Sequence, residues 1–124
     1  MKIKMHDNIE YNYDYKYDLI DIHKKGKFNH GKTIELDNGV YLDFDENNVP
    51  FALEFISASK ILDTEKRNLT SPGINVAILV TDDMIHVEAI FEYKIHEKPA
   101  DVSIKKDIIN DYNIPKMETA LSTT

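Results

Sequence analysis

Between positions 85 and 96 the chain reads IHVEAIFEYKIH, in which Ile85, Val87, Ala89, Phe91, Tyr93 and Ile95 alternate with His86, Glu88, Ile90, Glu92, Lys94 and His96. A period of two sustained over this length is that of an extended strand with one buried and one mostly wet face. The fold must therefore supply a sheet for this strand to join. Pro99 is expected to stop it.

The same period recurs upstream. In DLIDIHKK, Ile20 and Ile22 fall on one side and Asp21 and His23 on the other, and the segment ends at Gly26. The stretch TIELDNGVYLDF reads as a hairpin. A three-residue Asp37-Asn38-Gly39 loop would pair Leu36 with Val40 and Ile34 with Leu42, with Gly39 taking the left-handed conformation. A two-residue Asn-Gly loop would put Ile34 opposite Asp43 and scramble the faces. After a turn at Glu46-Asn47-Asn48-Val49, the returning PFALEF aligns Phe51, Leu53 and Phe55, predicting that Phe44 pairs with Phe51, Leu42 with Leu53 and Val40 with Phe55.

SASKILDTEKR carries serines suited to capping a short helix, and Thr-Ser-Pro-Gly at 70–73 marks a break between two subregions. Beyond it, INVAILV is nearly all apolar, as for a strand covered on both faces, and Asp82-Asp83 marks a turn. In residues 102–112, Ile104, Ile108 and Tyr112 recur at helical spacing after an Asp101 cap, which favours a helix over the strand that Val102 and Ile104 would also allow. The segment 115–124 offers few core residues and reads as a flexible tail. The expected fold is mainly β (α+β): one domain over 1–124, holding an antiparallel β-meander over 13–62 with one or two short helices and a second strand-rich subregion over 74–112.

With 124 residues the chain has the length of one domain. It contains no cysteine, which removes disulfides, thiolate chemistry and cysteine-type zinc sites and points to a reducing cytoplasm. Its longest apolar run, Val76 to Val80, is too short to cross a bilayer, so no membrane association is expected. The net charge is −7, shared between the halves: residues 1–62 hold 8 Lys against 11 acids, and residues 63–124 hold 7 Lys or Arg against 11 acids. Neither half can neutralise a phosphate backbone, so no nucleic-acid partner is expected. The one basic stretch, with Lys24, Lys25, Lys27 and Lys32, reads as a solvated loop.

Tyr13-Asp14 followed by Asp18 and the Ile20/Ile22 pair, then LDNGVYLDFDENNV and LEFISASKIL, resembles the family known as Domain of Unknown Function 2283. The Leu-Asp-x-Gly-Val-x-Leu-Asp-x-Asp and Glu-x-x-x-Ala-Ser-Lys patterns carry the resemblance, which covers about 50 of the 124 residues, from Tyr13 to Leu62. It implies a small β-rich protein, of a kind suggested to act in toxin–antitoxin pairs, and brings no catalytic residue. The second apolar half, from Asp63 onward, departs from the pattern.

Residues 26–33, GKFNHGKT, match the P-loop spacing G-x-x-x-x-G-K-S/T. A P-loop needs a helix N-terminus after the lysine, whereas Lys32-Thr33 leads into an alternating hairpin, so the match reads as a strand connection and no cofactor is expected. In DFDENNVPFALE, Asp43, Asp45, Asn47 and Glu54 fall at positions 1, 3, 5 and 12 of a calcium loop, but Asn48 stands where glycine is required and the flanks are strands. The hairpin still places Asp43, Asp45 and Glu54 on one solvent face as a candidate metal or small-ligand site. The five histidines form no ligand set, since His86 and Glu88, alternate residues of one strand face, lie about 7 Å apart. Tyr11, Tyr13, Tyr15 and Tyr17, at strict alternation in YNYDYKY, form a candidate interaction stripe. The expected function is a non-catalytic protein-interaction module, not an enzyme, that pairs with itself as a homo-oligomer or with another small protein, as an antitoxin does. The alternative is a small-ligand or divalent-metal-binding protein built on Asp43, Asp45 and Glu54.

Overall fold

The computed structural model describes residues 8–123. Two antiparallel sheets account for most of them. The first contains β1 (Ile9–Asp14), β2 (Leu19–Lys24), β3 (His30–Asp37), β4 (Val40–Asp45) and β5 (Pro50–Ile56), in the order β1-β2-β5-β4-β3. A one-turn helix, α1 (Ala58–Ile61), and a 3₁₀ turn at Lys66–Leu69 lead to the second sheet. There β6 (Gly73–Val80), β7 (Met84–Ile95), β8 (Lys98–Ile109) and β9 (Met117–Ser122) stand in the order β8-β7-β6-β9. The Thr-Ser-Pro-Gly break is the crossing from one sheet to the other. No helix among the described residues is long and apolar enough to cross a membrane.

The alternation seen in the sequence becomes the sandwich interior. Ile20, Ile22, Ile34, Leu42, Leu53 and Phe55 of the first sheet join Ile74, Ile78, Ile85 and Phe91 of the second in one buried cluster. Phe55 and Phe91 meet edge to face across the interface, ring centroids 5.7 Å apart, a contact worth about 1 kcal/mol beyond its buried area. Side-chain clasps tie the two sheets along their margins. Asn8 donates its backbone N–H to the Ser122 carbonyl at 3.0 Å and accepts the Ser122 N–H on Oδ1 at 2.9 Å. On β8, Lys106 pairs with Asp37 at the end of β3 and holds its carboxyl below the usual range, chiefly through that hydrogen bond.

Several expectations need correction. The β3–β4 hairpin closes through a two-residue Asn38-Gly39 turn with Asp37 opposite Val40, and an irregularity between Glu35 and Asp37 then restores the Ile34–Leu42 pair. A bulge thus solves the face problem that a three-residue loop was expected to solve. Leu42–Leu53 and Val40–Phe55 pair as expected, but a second irregularity after Asp43 puts Phe44 opposite Pro50 and frees Phe51 to stack on Phe28, centroids 5.3 Å apart.

The expected helix over 102–112 is strand β8, paired with β7 from Lys98–Ile95 to Ile109–Met84 without a slip. Its inward positions are Ala100, Val102, Ile104, Lys106 and Ile108. The lysine in an inward slot broke the apolar alternation and left Ile104 and Ile108 at a misleading spacing of four. Pro99 does not stop β7 but lies in β8 opposite Lys94. The reversal is made by His96 and Glu97, both at positive φ (51° and 67°), the geometry of a two-residue hairpin turn. β6 is covered on one face only, with Leu79 43% exposed on the other. Nor is the segment after Pro115 a loose tail: Met117–Ser122 pairs with β6 and sinks Leu121 into the core, because β6 would otherwise bound the sheet with a bare apolar edge. Asn110 anchors the approach, its side chain bonding Thr81 and Ile114 backbone.

Candidate functional site

The tyrosine stripe divides. Tyr11 donates its hydroxyl to the Leu69 carbonyl at 2.5 Å, and Tyr13 donates to Asp18 Oδ1 at 2.7 Å. Both phenols are pushed far up by burial, with the Asp18 carboxylate adding to the effect at Tyr13. These two side chains also pack against the core. Beyond the end of β1 the chain turns, and Tyr15 and Tyr17 are left 55% and 64% exposed. The Lys66 ammonium lies 5.4 Å from the Tyr15 ring centre and donates to the Tyr15 carbonyl at 3.0 Å.

Asp18 sits in the left-handed region (φ 58°) and organises α1 from a distance. Its carbonyl accepts the Ala58 N–H at 2.9 Å, and its carboxylate accepts the Ser59 N–H at 3.0 Å and the Ser59 hydroxyl at 2.6 Å. Ser57, the residue preceding the helix, makes no side-chain cap. Burial alone would raise the Asp18 carboxyl, but the bonds from Ser59 and Tyr13 outweigh it and hold it below the usual range. Three residues of the resemblance, Tyr13, Asp18 and Ser59, are therefore parts of one scaffold network.

On the outer face of the first sheet the ladder sets Glu54 between Asp21 of β2 and Tyr41 of β4, and Asp43 between Ala52 of β5 and Thr33 of β3. Glu54 and Asp43 are thus diagonal neighbours. Glu54 is pushed up to about 7, first by burial, then by a hydrogen bond to Asp43 that only its protonated form donates, and by the charges of Asp43 and Asp21. Asp43 is nearly buried and accepts the Thr33 hydroxyl, whose oxygen lies 2.7 Å from His30 Nε2. At the other side His23 bridges Glu10 and Asp21, 3.1 Å from each. A polar track from Glu10 to His30 so crosses all five strands of the first sheet, with the raised carboxyl of Glu54 at its centre.

Of the three residues expected to act together, the structure brings together Asp43 and Glu54. Asp45 turns away and spends Oδ1 on the N–H groups of Asn47 (2.8 Å) and Val49 (2.9 Å), fixing the β4–β5 turn. Among the described residues no group of three or more His, Cys, Asp or Glu side chains is arranged to hold a metal ion. Beside Glu54 lies a shallow depression of about 350 Å³ walled by Leu19, Tyr41 and Ile56. Asp21, His23 and Tyr41 were not singled out from the sequence, although the alternation of DLIDIHKK and VYLDF already places them on the wet face.

The P-loop-like glycines have local duties. Gly26 turns the chain at φ +117° between β2 and β3. A Cβ on Gly31 would run into the backbone carbonyl of Asp45, where β3 passes the β4–β5 turn. Lys32 and Thr33 lie inside β3, opposite Phe44 and Asp43.

The second sheet ends in β8, whose outer face alternates Asp101, Ser103, Lys105 and Asp107. Across the ladder His86 meets Asp107 and Glu88 meets Lys105, but Glu92 meets Asp101, two like charges.

Over 87 residues the chain is 32% identical to an uncharacterised protein of Methanocaldococcus jannaschii, a match covering 68% of this chain and 68% of that protein. No protein-family model matches the chain. No solved structure matches it. At that identity and coverage the chain belongs to the same family as the Methanocaldococcus protein.

Proposed function

We propose that this protein is a non-catalytic interaction module of the cytoplasm that associates with itself and, in the manner of an antitoxin, holds another small protein. The observation that supports this reading is β8, a twelve-residue strand that, among the described residues, is paired on one side only and is regular throughout. Such an edge is a template for a further strand, with main-chain bonds giving affinity and alternate side chains giving selectivity. Exposed Tyr15 and Tyr17 of the β1–β2 turn, with Leu19 and Ile56 of the first sheet, add apolar surface for a second contact. Size-exclusion chromatography with light scattering tests self-association: a species of twice the chain mass is expected, and a monomer at every concentration would refute it.

A second reading keeps the Glu54 depression for a small ligand or divalent cation, because Glu54, raised to about 7 by burial and by its hydrogen bond to Asp43, holds a proton there that a cation would displace. A thermal-shift screen with calcium, magnesium, manganese and nucleotides separates the two. The interaction reading expects no ligand to raise the midpoint, and a rise of several degrees lost in Glu54→Gln would favour the second.

A further inference from the structure

Among the described residues β8 is the longest of the four sheet-edge strands, and the other edges are shorter or interrupted: β3 is bulged, and β1 and β9 are six residues each, with Asn8 at the head of β1 clasped to Ser122 of β9. Two features that discourage pairing stand at the ends of β8, Pro99 at one and the inward Lys106, tied to Asp37, at the other. Between them the free edge runs from Ala100 to Lys105.

We propose that this edge pairs antiparallel with the same edge of a second copy about a two-fold axis at Ser103, joining two four-stranded sheets into one of eight. The inference rests on the self-associating reading above and gives it a register. A two-fold perpendicular to the sheet keeps outer residues against outer ones, so the axis must pass through a residue, and each choice has a distinct charge pattern. Centred on Ile104, it sets Asp101 against the second copy's Asp107, twice. Centred on Lys105, it sets two lysines together. Centred on Val102, it leaves Asp101 opposite Ser103 with no charge paired. Centred on Ser103, it sets Asp101 against Lys105 twice, Val102 against Ile104 twice on the core side, and the small Ala100 beside Lys106, leaving room for the longer side chain.

A second observation points the same way. Within one chain Asp101 lies opposite Glu92, a repulsive cross-strand pair. In the Ser103-centred dimer Asp101 is flanked by Glu92 on one side and the second copy's Lys105 on the other, and the repulsion is offset.

Charge exchange tests the register. Asp101→Lys places lysine against Lys105 at both ends and is expected to raise the dimer dissociation constant roughly tenfold to a hundredfold. It also removes the clash with Glu92, so its monomer should melt no lower than the wild type, which separates lost pairing from lost folding. The double variant D101K/K105D reverses both charges and should recover the dimer. Ser103→Cys gives an independent reading in a chain that has no other cysteine: paired Cα atoms about 4.5–5.5 Å apart fall within disulfide range, so mild oxidation should yield a covalent dimer. Lys105→Cys, whose copies lie four residues out of register, should not crosslink. A wild-type dimer that D101K leaves intact, with Ser103→Cys uncrosslinked, would overturn this interface while leaving self-association standing. A wild-type monomer at every concentration would overturn both.

Discussion

The Ser59 hydroxyl donates to the Asp18 carboxylate at 2.6 Å, across 41 positions of sequence, and with the Ser59 N–H makes a β1–β2 turn residue the cap of a helix in another part of the chain. Asp18→Ala would strip α1 of that cap and leave the buried end of Tyr13 without its acceptor. A loss of about 2 kcal/mol is expected in urea unfolding. Because the folded carboxyl is held below its ordinary value, its contribution is present above the unfolded pKa and fades as pH falls through the folded one. The variant should therefore show a flatter decline of stability below about pH 4.

Glu54 gives a pH dependence of opposite sign. Its folded carboxyl titrates at about 7 against 4.5 for the free group, so the fold holds an extra proton between those values. Stability should fall as pH rises through that window, by about 1 kcal/mol once solvent screening of a half-exposed group is allowed for. Glu54→Gln keeps a donor toward Asp43 and carries no charge. Thermal melts from pH 4 to 9 should show the wild type losing stability towards neutrality and the variant holding level.

The P-loop lookalike yields a contrast between adjacent residues. Gly31→Ala forces a Cβ into the Asp45 carbonyl and should cost about 2 kcal/mol or more, since backbone must move. Lys32→Ala, the substitution that would disable a nucleotide site, should change stability by less than about 0.5 kcal/mol. Denaturant midpoints of the two variants check this, and a large loss at Lys32 alone would reverse the assignment.

Tyr13 and Tyr17 should also part company. Tyr13→Phe removes one donor from Asp18 and is expected to cost about 1 kcal/mol. Tyr17→Ala, at an exposed turn, should leave stability within about 0.5 kcal/mol. If Tyr17 serves a partner, its loss will appear in binding and not in melting.

Strand by strand, what the sequence discloses follows from how cleanly burial alternates. β7 is legible because every inward residue from Ile85 to Tyr93 is apolar or aromatic. β8 obeys the same geometry, yet a lysine at 106 fills a slot where a neighbouring sheet offers Asp37, and no local pattern reports a neighbour that distant. Asp43 and Glu54 could be placed on one face from hairpin arithmetic alone. Asp45 could not be separated from them, because its diversion to Asn47 and Val49 depends on turn geometry. The capping role of Asp18 was hidden for a similar reason: the serines beside α1 looked sufficient, while the acceptor came from a turn residue four strands earlier in the chain.

The clasp between Asn8 and Ser122 bears on how the chain is made. Ribosomal synthesis delivers all five strands of the first sheet before β6 emerges, and β9 last. Until β9 arrives, GINVAILV has neighbours on one side at most, and its β-rich, uncharged edge is the segment of the nascent chain most open to misassociation. β9 thus acts as a built-in chaperone for β6, and the amide at position 8 locks it in place only once the eight strands before it have been made.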